Sequence, residues 1–106
     1  MAIIQVDETE FDEIFHTTLE SYEVVILKFE STYCDGCIAL GFELEELDEI
    51  YDNVTILEIE APENELLAQR YDVTEVPTIV IYKNKEIIYH GVGVILAVDI
   101  LNMIKE

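Results

Sequence analysis

The chain has 106 residues, about half of them apolar, and its 24 acidic residues against five lysines and arginines give a formal net charge of −19. This length and apolar content predict a single folded domain over residues 1–106 and exclude extensive disorder. The charge argues against nucleic acid and anionic membranes as partners, and no apolar run approaches the roughly 18 residues of a membrane span.

The first segment, residues 3–6, is a short apolar run that predicts an edge strand. Asp7 and Glu10 have the spacing of a capping box, and the apolar residues after them predict a helix over about residues 9–21. The N-terminus has neither the basic region nor the long apolar region of a secretion signal. We therefore expect a cytoplasmic protein, in which a lone cysteine pair is more often catalytic than structural.

Residues 23–29 form a nearly continuous apolar run that is interrupted only by Lys28. A strand that is apolar on both faces is typical of a central parallel strand covered by helices. Cys34 and Cys37 follow shortly after its carboxyl end, which is where α/β sheets usually place their chemistry.

Cys34 and Cys37 are the only cysteines, and they open a segment with helical periodicity. At positions i and i+3 of a first helical turn, two sulfurs are close enough for a disulfide, and the helix N-terminus favours a thiolate. One attacking and one resolving thiol suffice for disulfide exchange. A zinc site is disfavoured because His16 and His90 lack ligand spacing, so no metal is expected. A structural disulfide would close too short a loop to constrain the unfolded chain much.

Two helices and a strand follow the cysteines. The second helix is predicted to run from residue 34 to about residue 51, and residues 54–60 alternate as a strand does. The predicted core stripe of that helix is Ile38, Phe42, Leu44, Leu47, Ile50 and Tyr51. Pro62 opens a short predicted helix over residues 63–71, in which Leu66 and Leu67 are expected to point inward.

The C-terminal part predicts a hairpin and a last helix. Residues 79–82 form a strand after Pro77, residues 83–86 a turn, residues 87–91 a second strand, and residues 95–104 a helix. The complete order predicts an α/β fold. Its mixed β-sheet has three parallel-type crossovers and then a C-terminal antiparallel hairpin, and helices cover both faces.

These motifs resemble the thioredoxin family over nearly the whole chain. The resemblance rests on the apolar strand into Phe29, on Tyr33 and the C-x-x-C pair that open a helix, and on Val76-Pro77-Thr78 before the next strand. It also rests on Gly93 before the last helix. The resemblance implies a thioredoxin-like fold.

The resemblance also implies roles for individual residues. Cys34 would be the attacking nucleophile and Cys37 the buried resolving thiol, with a cis Pro77 packed against them. The Val76 backbone would then pair with an extended substrate segment. The implied substrate-docking surface consists of Tyr33, Gly36, Val76, Val92 and Gly93.

Asp35 and Gly36 depart from the Cys-Gly-Pro-Cys sequence that the family usually has. Gly36 costs up to about 1 kcal/mol of helix propensity. Asp35 places a negative charge beside Cys34 and opposes its thiolate, although a helix N-terminus tolerates the acid. We therefore expect a less acidic nucleophile, a more stable disulfide, and a reductant rather than an oxidase.

Lys28 and Glu58 are a second departure. The family commonly has a buried aspartate at the position of Lys28 and a lysine at that of Glu58, so the pair looks exchanged in sign. One hypothesis is a half-buried ion pair near Cys37 that assists its deprotonation. The alternative is a Lys28 side chain that extends its ammonium to solvent, with Glu58 on a wet strand face.

Residues 92–98 are unusually apolar for the start of a helix and contain no Ser, Thr, Asp or Asn cap. Two interpretations stay open. The side chains pack into the core, or part of them forms an exposed patch that suits a partner or a homodimer.

The resemblance implies a thiol–disulfide oxidoreductase that reduces protein disulfides without a bound cofactor and is re-reduced by a thioredoxin-reductase-like dithiol donor. A monomer is expected, with weak dimerisation as the alternative. A reductant dedicated to one client is a second enzymatic possibility. The alternative from another class is a thioredoxin-like binding or sensor module with a structural or regulatory disulfide. A glutathione-dependent enzyme is disfavoured because few basic residues are available to hold the tripeptide's carboxylates.

Overall fold

Residues 3–106 are described by the computed structural model, and their strands form one sheet. The strands are β1 (Ile3–Gln5), β2 (Val24–Glu30), β3 (Val54–Glu60), β4 (Thr78–Lys83) and β5 (Glu86–Val92), in the spatial order β1-β3-β2-β4-β5. The helices are α1 (Phe11–Ser21), α2 (Asp35–Ile50), α3 (Glu65–Arg70) and α4 (Ala97–Ile104), with a 3₁₀ turn at Ala61–Glu63. In this described range, no helix is both long enough and apolar enough to cross a membrane.

The strand directions agree with the predicted mixed sheet in all but one connection. β1, β3 and β2 run parallel, whereas β4 runs antiparallel to β2, and β5 antiparallel to β4. The third crossover therefore leads to an antiparallel strand, and its prediction as parallel-type is wrong. α3 has six residues and spans about 9 Å, against roughly 23 Å for a seven-residue strand, so the chain does not return along the sheet.

Helices cover both faces of the sheet, and alternate residues of each strand face opposite layers. On one face, Val24 and Ile26 of β2 pack with buried residues of α2 and α4. On the other face, Val25, Leu27 and Phe29 pack with Phe11 of α1 and buried residues of α3 and β4. β2 is central, and its first six residues are buried, because it has apolar side chains for both layers.

α1 begins at Phe11, later than predicted, because the capping-box residues close a turn of their own. Asp7 Oδ1 accepts hydrogen bonds from the backbone N–H groups of Thr9 and Glu10, at 3.0 Å and 3.1 Å. Glu10 Oε1 accepts one from the N–H of Asp7 at 3.3 Å. The reciprocal bonds are those of a capping box, but the first helical turn follows them.

The buried face of α2 differs from the predicted stripe. Its buried residues are Cys37, Leu40, Leu44 and Leu47, which follow the three- and four-residue spacing of one helical face. Ile38 and Phe42 are 59% and 65% exposed, and Ile50 is exposed as well. The prediction fails at these three residues because α2 carries apolar side chains on two faces, and only the face with Leu40 packs on the sheet.

The segment after β3 is not one helix over residues 63–71 but a 3₁₀ turn followed by the short α3. Buried Asn64 separates the two elements, and its side chain donates to the carbonyl of Glu60 at 2.8 Å. Glu8 Oε1 accepts hydrogen bonds from the N–H groups of Leu66 and Leu67 and so caps α3. Leu67 is buried as predicted, whereas Leu66 is 71% exposed, because a single turn presents only one of two adjacent side chains to the core.

α4 begins at Ala97, two residues later than predicted, and a neighbouring helix supplies its cap. Glu43 of α2 accepts a hydrogen bond from the Ala97 backbone N–H at 2.9 Å. This carboxylate takes the place of the missing N-cap side chain and lies at the positive end of the helix dipole. The bond also joins α4 to the helix that begins with the cysteines.

Candidate active site

The two cysteines lie where the chain passes from β2 into α2. Cys34 is the N-cap residue of α2, with extended backbone angles (φ −118°, ψ 106°), and Cys37 lies in the first turn. A disulfide joins them, with 5.2 Å between their Cα atoms. The backbone N–H of Cys37 donates a hydrogen bond to Cys34 Sγ at 3.1 Å. The helix N-terminus thus offers a donor to the sulfur that would carry a thiolate charge.

The two sulfurs differ in their access to solvent. Cys37 is 4% exposed, whereas Cys34 is partly exposed at the end of the sheet. Tyr33, the residue before Cys34, has left-handed backbone angles (φ 60°) and a fully exposed side chain. An external reactant can therefore reach Cys34 beside the Tyr33 ring, but it cannot reach Cys37 directly.

Pro77 lies against the C-x-x-C loop. The Val76–Pro77 peptide bond is cis, the conformation that the resemblance implies. A Cβ atom on Gly36 would lie 3.1 Å from Cδ of Pro77, so the glycine permits this close approach. Gly93, with φ 96°, donates its N–H to the carbonyl of Pro77 at 2.9 Å. Three predicted site residues are therefore assembled around the disulfide.

A groove of about 610 Å³ extends from Val76 between the 3₁₀ turn and α3. Its apolar lining includes Ala61, Ala68 and Val73, and Ser31 lines it as well. Val76 itself lies outside the hydrogen-bonded ladder, since β4 begins at Thr78. The groove offers space for an extended segment beside the cis peptide bond.

Apolar side chains before and within α4 are exposed, as is one apolar side chain of α2 next to the cysteines. Val92, Val94, Leu96 and Val98 are all about half exposed, so the segment before and within α4 forms a patch while Ala97 and Ile100 reach the core. In α2, Ile38 is exposed and lines a cavity with both cysteines. Ile38 was misassigned to the core because its apolar character alone did not identify the face it occupies.

Lys28 forms the predicted ion pair with Glu58 and a second one with Glu30. The ammonium lies 3.4 Å from Glu58 Oε2 and 2.9 Å from Glu30 Oε1. Lys28 is only 4% exposed, so its ammonium does not extend into solvent. Gly41 of α2 leaves room above it, since a Cβ there would lie 3.3 Å from Lys28 Nζ.

The ion pairs line a cavity that also reaches the disulfide. This cavity, of about 420 Å³, is lined by Cys34 and Cys37 together with Lys28, Glu30, Glu45, Glu58 and Glu60. Glu30 and Glu60 are not among the site residues predicted from the sequence. The signal was the pair of patterns Lys28-x-Glu30 and Glu58-x-Glu60, which place alternate side chains on one strand face. Their meeting depends on the register between β2 and β3, which the sequence does not show.

The two histidines lie on the surface and outside this site. His16 and His90 are exposed, and His90 Nε2 lies 2.8 Å from the carbonyl oxygen of Tyr71. Within residues 3–106, no three His, Cys, Asp or Glu side chains are arranged to hold a metal ion. The chemistry available at the site is that of the cysteine pair.

Comparison with known proteins identifies the chain's relatives. The family model described as thioredoxin matches residues 2–106. The chain is 34% identical over 94 residues to a thioredoxin of Staphylococcus epidermidis, covering 88% of this chain and 86% of that protein. It is 32% identical over 94 residues to a thioredoxin of Bacillus subtilis, with the same coverage.

Solved structures agree with these relatives. A single-substitution mutant of a thioredoxin from Halobacterium salinarum NRC-1 superposes with a TM-score of 0.81 and 27% identity, covering 97% of this chain and 88% of that one. A chloroplastic thioredoxin z gives a TM-score of 0.82 at 24% identity, covering 99% and 93%, and supports the fold alone. With an accessible Cys34 and a buried Cys37 joined across the first turn of α2, the chain belongs to the thioredoxin family and is a thiol–disulfide oxidoreductase.

Proposed function

We propose that this protein is a protein-disulfide reductase. In the reduced protein, the Cys34 thiolate attacks one sulfur of a client disulfide, and the client's other sulfur leaves as a thiolate. The Cys37 thiol then loses its proton and attacks Cys34 Sγ in the mixed disulfide. The second client sulfur leaves, and the Cys34–Cys37 disulfide forms. The client gains two electrons, and the protein loses two.

The observation that carries this proposal is the unequal access of the two cysteines. Cys34 is partly exposed and caps α2, whereas Cys37 is buried behind it. The order of attack and resolution follows, because only the accessible sulfur can meet a client first. The hydrogen bond from the Cys37 N–H to Cys34 Sγ supports the thiolate of the attacking residue.

Docking of the client is assigned to the surface around the cis peptide bond. The groove beside Val76 gives an extended client segment a place to lie next to the disulfide. Exposed Tyr33 and Val92 provide apolar contacts on either side, and Gly36 and Gly93 keep the surface between them low. These residues bind the client without taking part in the chemistry.

The oxidised protein returns to its dithiol form through a separate dithiol donor of the reductase type. Family membership supports protein disulfides as substrates and such a donor. The reducing direction is supported by Asp35, whose charge in the first turn of α2 disfavours the Cys34 thiolate. We place the protein in the cytoplasm. We also expect it to be a monomer, because a net charge of −19 opposes self-association.

A trapping experiment tests this proposal. The variant Cys37→Ser, mixed with oxidised insulin as a model client, is expected to accumulate a mixed disulfide through Cys34, because the resolving thiol is missing. The matched control Cys34→Ser is expected to trap nothing, since Cys37 is buried. Non-reducing gel shift and mass spectrometry of the joined peptides measure the product.

Other outcomes would favour the binding or sensor module. If neither variant forms a mixed disulfide and the wild-type protein does not reduce insulin in the presence of dithiothreitol, the reductase proposal is wrong. Equal trapping by both variants would also contradict it, because the assigned order of attack requires Cys34 to react first.

A further inference from the structure

Four charged residues form a square on one face of the sheet. Lys28 is opposite Glu58, and Glu30 is opposite Glu60, in the parallel register of β2 and β3. The earlier residues of the same face are apolar and pack against α2 and α4. The face therefore changes from apolar to charged at its carboxyl end, below the turn of α2 that holds the cysteines.

The square contains three carboxyl groups and one ammonium. Lys28 contacts Glu30 and Glu58, whereas Glu60 makes no ion pair with any residue between Ile3 and Glu106. Glu30 and Glu60 are paired in adjacent parallel strands, which are about 4.8 Å apart, and, besides burial, a side-chain hydrogen bond with Glu30 is among the causes that raise the pKa of Glu60. Burial, followed by the nearby charges of Glu30 and Glu63, raises the pKa of Glu60 above its usual value. Two facing carboxyls in a half-buried site hold a proton more tightly than either alone.

The cavity of about 420 Å³ connects this square to the disulfide. Glu30 and Glu60 line it on the sheet side, and Cys34 and Cys37 line it on the α2 side. The other charged or titratable groups that face the square are Glu45 of α2 and Tyr33, which line the same cavity, Glu63 of the 3₁₀ turn, and Asp7 and Glu10, which line a second pocket with Glu60. Since Lys28 is already in contact with two carboxylates, each further ionisation in the cavity adds negative charge near the sulfurs.

We propose that Glu30 and Glu60 share one proton and that this positioning pair sets the pH at which Cys34 becomes a thiolate. The pair acts through charge and does not touch the client. This proposal deepens the proposed reductase function at the same site, but it requires only that Cys34 ionises in the reduced protein. The roles inferred from the C-x-x-C motif and the cis proline do not involve Glu30 or Glu60.

The direction of the effect follows from the charges. While the proton is shared, the pair has one negative charge, and the square as a whole has a net charge of −1 because Lys28 also faces Glu58. When the proton leaves, a second negative charge appears beside the cavity and opposes the Cys34 thiolate. In the same way, formation of the thiolate holds the proton on the pair more firmly. The two groups therefore titrate as a coupled system rather than independently.

The first test measures the alkylation rate of Cys34 by iodoacetamide in the reduced protein between about pH 4 and pH 10. The wild type is expected to show a broadened profile. Glu60→Gln is expected to show a single inflection at lower pH, with about three- to tenfold more thiolate than the wild type between the pH at which the wild-type pair loses its proton and that inflection. Glu86→Gln is the matched control, because Glu86 is exposed at the opposite end of the sheet; its profile is expected to match the wild type.

The second test observes the glutamate carboxyls themselves, so its first measurement uses the wild-type protein alone. Carbon-13 NMR of the glutamate carboxyls in the oxidised wild-type protein is expected to show one resonance that titrates above the ordinary range of glutamates. Glu30→Gln is expected to return the Glu60 midpoint toward that range. The proposal is wrong if Glu60 titrates ordinarily in the wild type, or if Glu60→Gln and Glu86→Gln give the same alkylation profile. Neither measurement uses a client, so a failed reductase assay leaves both results readable.

Discussion

At the scale of single residues, Lys28 is the clearest departure from the family's usual arrangement. A buried ammonium is unfavourable unless carboxylates compensate it, and here Glu30 and Glu58 both do so. Their side chains are 13% and 17% exposed, so the ion pairs are largely dry. If a group in this cavity accepts the proton of Cys37, it is a glutamate paired with Lys28 and not Lys28 itself.

Replacing Lys28 with methionine tests both its structural and its catalytic contributions. We expect Lys28→Met to lower the free energy of unfolding by about 3 kcal/mol near neutral pH, because two carboxylates lose their counter-charge. The loss should shrink toward pH 4, because carboxylates without a counter-charge can take up protons there. Urea unfolding at the two pH values measures it, with Lys105→Met as a control at an exposed lysine.

The same variant tests whether the Lys28–Glu58 ion pair assists the deprotonation of the resolving Cys37. We expect Lys28→Met to slow the attack of Cys37 on a mixed disulfide and to shift the pH profile of that step, as measured by stopped-flow release of a chromogenic thiol. An unchanged resolution rate with an unchanged pH profile would leave Lys28 with a purely structural role.

Asp35 is predicted to make Cys34 a weaker acid. Asp35→Asn should lower the pKa of the Cys34 thiol by roughly half a pH unit, the effect of one exposed charge beside another in water. It should also move the couple toward a more oxidising potential. Alkylation as a function of pH measures the pKa, and Glu49→Gln at the far end of α2 is the control. A Cys34 pKa that rises in Asp35→Asn would contradict the expected effect of the Asp35 charge.

Some residues of the site could be predicted from the sequence, and others could not. The cysteine pair was predictable because its chemistry depends on residue type and spacing along the chain, whereas the cis Pro77 was implied by the resemblance to the thioredoxin family. Glu30 and Glu60 were not, because their meeting depends on the register of two strands that are separated by α2. Ile38 and Phe42 were misassigned because a helix with two apolar faces does not reveal which face packs on the sheet.

At the scale of elements, the connections decide how the site is assembled. The strands were predictable from their β-branched apolar runs, and most helices from their periodicity. The direction of β4 was not predictable, because it depends on how short α3 is. The length of α3 depends in turn on hydrogen bonds of Asn64 and of Glu8, which comes from a distant part of the chain. The antiparallel β4 brings Pro77 beside the end of β2, where the disulfide lies.

The β4–β5 turn contains a correctable strain. Asn84 and Lys85 both have left-handed backbone angles, with φ 51° and φ 72°, as a two-residue hairpin turn requires. Lys85→Gly should raise the free energy of unfolding by about 0.5–1 kcal/mol, since glycine adopts this conformation without a Cβ clash.

The ion pair of Lys85 with Glu20 does not offset this gain, because both side chains are about half exposed and such pairs contribute little. Lys85→Ala is the control, since it removes the ion pair but keeps the strain, and it should change stability by less than Lys85→Gly. Urea unfolding measures both variants; a destabilised Lys85→Gly would show that the turn is not strained.

At the scale of the whole molecule, charge is the dominant feature. The net charge of −19 places carboxylates over most of the surface, while Lys28, Arg70 and Lys85 already contact acidic side chains. Repulsion among exposed carboxylates therefore outweighs the surface ion pairs. The same field repels acidic partners and favours those with basic surfaces.

Salt should stabilise the folded protein. Raising sodium chloride from about 0.05 M to 0.5 M is expected to increase the free energy of unfolding by roughly 1 kcal/mol or more, because screening weakens the repulsion. The increase should be smaller at pH 4, where many carboxylates are neutral. Chemical unfolding at fixed temperature measures it, and a decrease with salt at neutral pH would show that ion pairs dominate instead.

The proposed function requires that the Cys34–Cys37 couple works as a reductant. An equilibrium redox titration, scored by the mass shift on alkylation, tests it most directly. We predict a reversible two-electron couple at or below the glutathione poise of the cytosol, roughly −220 to −320 mV depending on method. A couple near about −120 to −180 mV would make the protein an oxidant or isomerase and would contradict the role given to Asp35. The absence of any reversible couple would contradict the reductase function itself.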